Sequence, residues 1–520
     1  MKPYSRQYYL QKLRKLLSRA DDEMFVKMIW AADALQNGRS HLAADFLQFP
    51  SQAATTDYTS PFKVHEWELE TLMNELFITD NRRVGRRKTR TLDTTNFNTL
   101  LTLARTLRQL ENAESGIYLH KIDIHKELHR LAQRQFPWQR KYASQFKLFR
   151  SVYVFGSSLC SEYFQESFQI TVQQLLLLGA ALEAKFQRSA IVSRPRHIPE
   201  LHLDAVTTEA GLKLISASVS EVRHQALDQR NKVTKSIKGW QPISYMPSVL
   251  RVFPIISFGP DSGRLLCPLH KLIITRVTSG LYQDIVKGGP RVINEIGIQF
   301  EQYSLSLMRS LLPALSVRGA YRYGTKKRSY DSPDILVGRR DQLLLAVECK
   351  ASKLTFGAQF SGNPIEEQGV KYDEIANGVH QIWRYFSHLR RGIATGELHG
   401  DACGMVLTLD PWLTMSRTLQ QEVYKRAKDL STRDFEISEE DQRPVLFCPI
   451  QDLEVILPQV NDIDFLTLLK AATEDRFSGW MLPKVIEQMS LQRDVAKEFP
   501  FQMEDVLPWW NAATTTAPNE

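Results

Sequence analysis

The chain has 520 residues, 43% hydrophobic and 24% charged, a composition that excludes both a single small core and a mainly disordered polymer. At roughly 100–200 residues per domain, two to four packed units are expected. The formal charge of +8 favours polyanionic partners, because lysines and arginines that neutralise phosphates release condensed counterions, but a charge of this size is also common in proteins that touch no nucleic acid.

Residues 4–20 place Leu10, Leu13, Leu16 and Leu17 at helical spacing, with lysines and arginines between them, so an amphipathic helix is expected there and not a secretion signal. Further helical periodicity runs through residues 97–110, 121–135, 142–155 and 172–187, which makes the first ~190 residues mostly α. The most apolar stretch, 175–182, is far shorter than the ~20 residues that span a bilayer, so a cytoplasmic protein with no membrane contact is expected. Pro195 and Pro199 interrupt the pattern, and residues 204–223 resume it up to a boundary near residues 239–242. The resulting division is a helical region over 1–242, a connection over 243–290 that is Pro- and Gly-rich over 243–268, a core over 291–411 and an α-rich appendage over 412–520, with a loose polar tail from 512. The five cysteines, Cys160, Cys267, Cys349, Cys403 and Cys448, are far apart and form no CxxC pair, which points to reduced thiols.

Between 291 and 411 the texture changes. A helix over 297–312 leads to a β-leaning run at 315–323, a basic turn-like stretch at 324–330, and two strands, 333–337 and 343–350, joined by residues 338–342 as a hairpin. A long helix over about 372–391 and a strand over 404–409 complete the order α-β-β-β-α-β. Side chains alternate along a strand, so Glu348 and Lys350 share one face while Val347 and Cys349 take the other. In register, Asp334 comes beside Glu348, and two adjacent carboxylates are costly unless a cation holds them. Mg²⁺, with Mn²⁺ as substitute, suits two carboxylates and a backbone carbonyl, for which Cys349 is the candidate.

Ser332-Pro333-Asp334 followed by Val347-Glu348-Cys349-Lys350 resembles the PD-(D/E)xK nuclease superfamily, and the element order resembles its restriction-endonuclease-like core. The resemblance covers under a quarter of the chain. It implies that Asp334 and Glu348 bind the metal and that Lys350 positions or helps deprotonate the attacking water. Gln381 and Tyr385, one helical turn apart beside a stripe of Ile375, Val379, Ile382, Phe386 and Leu389, look like the Gln-x-x-x-Tyr feature of the RecB-like branch, although an ordinary amphipathic helix with a polar shoulder carries the same spacing. Family members often place a glutamate on the leading helix. Glu301 is preferred for it over Glu295, which precedes Gly297 and is expected to lie outside the regular helix.

Two look-alikes fall away: Glu183-Ala184-Lys185 lies in an apolar helical stretch, and Pro260-Asp261 has no suitably spaced acidic-x-Lys partner downstream. His120, His125 and His129 could in principle hold zinc, but solvated or core-edge histidines are the plainer expectation. Basic residues at Arg82, Arg83, Arg86, Arg87, Lys88 and Arg90, and the aromatic-cationic run 136–150, are weaker nucleic-acid candidates than Lys326, Lys327, Arg328, Arg339 and Arg340, which lie nearer the site in sequence. No Gly-rich phosphate loop is present, so no ATP motor is expected.

The function expected is that of a metal-dependent DNA nuclease, an endonuclease in first expectation, regulated by its helical N-terminal region. By architecture it is similar to bacterial antiphage effectors triggered by a phage-derived or other protein. An RNA-cleaving nuclease of the same fold, or a non-catalytic nucleic-acid-binding scaffold, remains open, as does the oligomeric state.

Overall fold

The computed structural model describes residues 2–80, 91–118, 124–139, 142–236, 242–259, 263–360, 364–411, 416–434, 436–491 and 496–511. The protein is α+β and mostly helical, with two mixed sheets and a separate two-stranded ribbon among the described residues. Two compact units interleave along the chain: Met1–Asp123, Arg134–Ala143 and Ser161–Lys287 form the first, and Ile124–Gln133, Ser144–Cys160 and Gly288–Glu520 the second. Among the described residues no helix is long and apolar enough to cross a membrane.

The first unit is built around α1 (Asp22–Gln36), which is apolar almost all round and buried continuously from Met28 to Gln36, as expected of a helix enclosed on every side. Its start is fixed by Asp21, whose side chain accepts a hydrogen bond from the Met24 amide at 2.9 Å. Helix Lys2–Leu17, α2 (Glu66–Ile78) and helix Phe97–Tyr118 pack into the same core, so the amphipathic helix expected at the N-terminus is present.

Four short strands, β1 (Ile191–Ser193), β2 (Ser216–Ser218), β3 (Ile255–Phe258) and β4 (Arg264–Leu266), form a sheet in the order β1-β4-β3-β2, with only β2 and β3 parallel. Helical texture was expected across 204–223, but β2 separates helices Ala205–Ile215 and Val219–Ser236 there. Three residues are too few to show period-two alternation in a sequence. Residues 243–268 are likewise more than a connection, since Val249, Leu250, Ile256 and Leu266 are core residues of this unit.

The second unit begins its main body with α3 (Pro290–Leu311). Gly289 at φ +87° turns the chain, and Pro290 starts the helix where its missing N–H costs nothing. The helix is therefore longer than expected, and Glu295 lies inside it. Strands β5 (Ser316–Gly319), β8 (Ile335–Arg339) and β9 (Gln342–Lys350) pair antiparallel; β10 (Glu397–Thr408) and β11 (Val445–Pro449) extend the sheet in parallel, giving the order β11-β10-β9-β8-β5. Between β5 and β8 the chain leaves the sheet to form the ribbon of β6 (Arg322–Thr325) and β7 (Arg328–Asp331), where a continuing strand and a turn were expected.

Leu345, Ala346 and Val347 are buried in succession, so β9 is covered on both faces. One cover is α4 (Gly369–Arg390), whose Ile375, Val379, Ile382, Phe386 and Leu389 are all buried as the periodicity implies. Residues 445–449, read as part of an appendage, supply the edge strand of this sheet.

Candidate active site

The β8–β9 register sets Ile335 opposite Val347, so Asp334, just before β8, falls beside Glu348 near the end of β9. Asp334 is fixed there because its Oδ2 accepts a hydrogen bond from the Cys349 amide at 2.7 Å. Glu348 and Lys350 project to one face of β9, and the Lys350 Nζ donates to Glu348 Oε1 at 2.9 Å. From α4, Gln381 reaches the same ammonium, with Oε1 3.5 Å from Lys350 Nζ. Asp334, Glu348, Lys350 and Gln381 are thus gathered at one place, with Glu348 only 4% exposed.

A glycine that helical periodicity does not single out eases this convergence. Gly378 lies three residues before Gln381, and a Cβ there would stand 3.1 Å from Lys350 Cε and 3.2 Å from Glu348 Cγ. Glycine inside a helix costs ~1 kcal/mol relative to alanine. Its presence here lets α4 approach β9 closely enough for Gln381 to touch the lysine. The signal was visible as an interior helical glycine next to a suspected site, but its reason is tertiary.

The electrostatics are those of crowded acids. Burial pushes the Glu348 carboxyl up to about 7, with Asp334 and Glu301 adding like-charge repulsion and Lys350 opposing it. Burial also raises Asp334, against the Cys349 amide and Lys350. Glu301 on α3 is pushed up to about 7 by burial and by Asp334, and its carboxylate has no hydrogen-bond or ion-pair partner among the described residues. Burial works against the Lys350 ammonium, but Glu348 and Asp334 outweigh it and hold its pKa above the ordinary value.

No family model, no curated protein and no solved structure matches this chain. What the site can do follows from the chemistry of its own residues.

Among the described residues no three His, Cys, Asp or Glu side chains stand close enough to form a ready-made metal cage. Asp334, Glu348 and Glu301 influence one another electrostatically without meeting at a point, and Lys350 holds one oxygen of Glu348. The set nevertheless fits a hard divalent cation that keeps part of its water shell: Asp334 and Glu348 with the Cys349 carbonyl as oxygen donors, and an excess of buried negative charge for the ion to relieve.

The remaining candidates are distributed as follows. Glu295 accepts a hydrogen bond from Gln299 Nε2 at 2.9 Å and is sensed by Cys160, so it looks away from the acids. Tyr385 is buried and shares a hydrogen bond with Tyr321, not with Lys350. Lys326, Lys327 and Arg328 form the exposed tip of the β6–β7 ribbon. Arg339 and Arg340 occupy the β8–β9 turn, Arg340 at φ +55°; they are at the opposite end of β8 from Asp334, ~16 Å away at ~3.3 Å per residue. The basic run Arg82–Arg90, His120 and the tail lie outside the described residues, as do the side chains of His125 and His129 on helix Ile124–Gln139. In the run 136–150, Trp138 and Phe149 are core residues.

Proposed function

We propose that the second unit is a divalent-metal-dependent phosphodiesterase that cuts DNA, built as a PD-(D/E)xK nuclease core. The observation that carries this reading is the meeting of Asp334, Glu348, Lys350 and Gln381 at the ends of two neighbouring strands under one helix. The element order also supports it: α3, β5, β8, β9, α4 and β10 reproduce α-β-β-β-α-β, with the ribbon as an insertion.

Asp334, Glu348 and the Cys349 carbonyl would hold Mg²⁺ or Mn²⁺, which when bound lowers the pKa of its water and stabilises charge on the phosphate. Lys350 keeps its proton at neutral pH, so its ammonium orients the attacking water and offsets charge growing on the phosphoryl oxygens. Glu348 holds that ammonium at 2.9 Å and Gln381 Oε1 stands 3.5 Å from it, which narrows its directions before substrate arrives. Glu301 supplies a further acceptor for water at the rim of the site. The first unit serves in this reading as a regulatory surface.

The test is purified full-length protein with plasmid DNA and Mg²⁺, beside Glu348→Ala and Lys350→Ala. Nicking or linearisation by the wild type that both variants lose supports the assignment. Cleavage that persists in both removes it.

A further inference from the structure

The β6–β7 ribbon has features that the catalytic residues do not account for. Its strands pair only with each other, and an isolated two-stranded hairpin is marginal in water. This one is held by an aromatic root. Tyr323 and Tyr330 are directly opposite in register and their rings stack at 5.7 Å; Tyr321 shares a hydrogen bond with Tyr385 at 3.0 Å, and Tyr323 one with His388 Nδ1 at 2.7 Å. Tyr385 and His388 are both buried on α4, the helix that carries Gln381. The ribbon's base is closed by paired hydrogen bonds, Ser332 N to Tyr321 O and Tyr321 N to Ser332 Oγ, each 3.0 Å, two residues before Asp334.

The outer part has the opposite character. Between 318 and 331 the sequence carries Arg318, Arg322, Lys326, Lys327 and Arg328 against the single acid Asp331, and all five cations are exposed. Lys326 and Lys327 have no ion-pair partner among the described residues. Gly324, at φ +100°, lets the strands cross tightly near the tip, since a Cβ there would stand 2.4 Å from the Arg328 carbonyl oxygen.

We infer that this ribbon enters the major groove of duplex DNA beside the phosphate to be cut, and that the substrate is therefore B-form duplex. The inference rests on the nuclease reading of the same site and narrows it. A four-residue strand pair is ~13 Å long at ~3.3 Å per residue. The B-DNA major groove, ~12 Å wide and ~8.5 Å deep, admits a two-stranded ribbon. The major groove of an RNA duplex is too deep and narrow to be read this way. Single-strand recognition uses presented aromatic faces. Here the tyrosines are turned into the root, half-buried, and the tip offers Lys326 and Lys327 without an ion-pair partner among the described residues, beside the exposed Arg328, which lies 3.4 Å from Glu436.

The test uses full-length protein in EDTA, where binding is read without cleavage, and fluorescent oligonucleotides of one sequence as DNA duplex, RNA duplex and single-stranded DNA. The DNA duplex should bind tightest, and methyl green, a major-groove dye, should displace the protein where the minor-groove ligand netropsin does not. Lys326→Ala/Lys327→Ala/Arg328→Ala should weaken duplex binding at least tenfold and lower the slope of log affinity against log salt by about 2.7, for three lost phosphate contacts. Arg339→Ala/Arg340→Ala, removing equal charge per residue at the far turn, should leave both nearly unchanged. Wild-type affinity and slope in the triple variant, preference for RNA or single strands, or displacement by netropsin alone would overturn the ribbon proposal. Failure of the nuclease reading shows separately, as cleavage that survives Glu348→Ala whatever the binding results.

Discussion

In the first unit, buried acids face bases. Glu70 is gripped by Arg251 at 2.8 and 3.0 Å and by the Trp138 indole N–H at 3.0 Å; Glu68 is paired with Arg108, Glu75 with Arg230, and Asp33 with Arg39. Burial alone would raise Glu70, yet Arg251 holds its carboxyl below the ordinary value. In the second unit Glu454 is met by Arg150 and by the Tyr303 hydroxyl, although burial still leaves its carboxyl above the ordinary value. Asp334, Glu348 and Glu301 are different: burial raises all three, one lysine opposes it at Asp334 and Glu348, and Glu301 has no cation against it among the described residues. Charges that already neutralise one another build a fold. Carboxylates crowded together with their pKa values raised are more common at functional sites than in a structural framework.

The largest effect that separates the two regions is on stability. Arg251→Ala leaves Glu70 buried without its cation, and breaking such a pair costs ~3–5 kcal/mol. Urea unfolding should show that loss; a midpoint close to wild type would mean that Glu70 is not a structural acid.

Glu114 is the exception in the first unit, because among its described carboxylates it is the one pushed up, by burial, to about 7. Its partners are the Ile243 amide at 2.8 Å and Arg6 at 3.1 Å. Between the ordinary value of 4.5 and about 7 the folded state binds more protons than the unfolded chain, so stability should fall as pH rises through that window. A shift of this size corresponds to about 3 kcal/mol at most. Thermal or urea melts from pH 4.5 to 8 should show the fall in the wild type and a flatter profile in Glu114→Gln; parallel profiles would contradict it.

At the candidate site, Gly378→Ala should gain helix propensity and lose geometry. Stability should stay within ~1 kcal/mol of wild type, while cleavage drops about tenfold as Lys350 and Glu348 are pushed aside. Unchanged cleavage would show that α4 can yield. The smallest effect is expected for Glu301→Gln: with no partner to lose, it should stabilise the metal-free protein at pH 8 by about 1 kcal/mol, the electrostatic penalty being discounted for solvent screening. A destabilised variant would reveal a structural role for Glu301.

The convergence of these side chains was more legible in the sequence than the fold around them. Asp334, Glu348 and Lys350 were legible because strand side chains alternate with period two and the Pro-Asp step precedes a run that is apolar on both faces. Gln381 was legible from helical spacing beside an apolar stripe, and the structure brings it to Lys350. Tyr385 had the same spacing but its hydroxyl turns to Tyr321, a partner that no local pattern announces. Glu295 was misplaced because Gly297 was taken as a helix start. A glycine inside a 22-residue helix is tolerated when burial along the rest of its face offsets the ~1 kcal/mol cost. The ribbon was hidden because its strands are four residues long and its tyrosines lie within a basic stretch. The interleaving of the units leaves no compositional mark, since residues 124–133 and 144–160 are helical like their neighbours.

The most direct measurement is a calorimetric titration of the full-length protein with Mn²⁺ in the absence of nucleic acid. One site is expected in the wild type, lost or weakened at least tenfold in Asp334→Ala and retained in Arg339→Ala/Arg340→Ala. Equal Mn²⁺ binding by wild type and Asp334→Ala, or none by either, would mean that Asp334 and Glu348 are not a cation site.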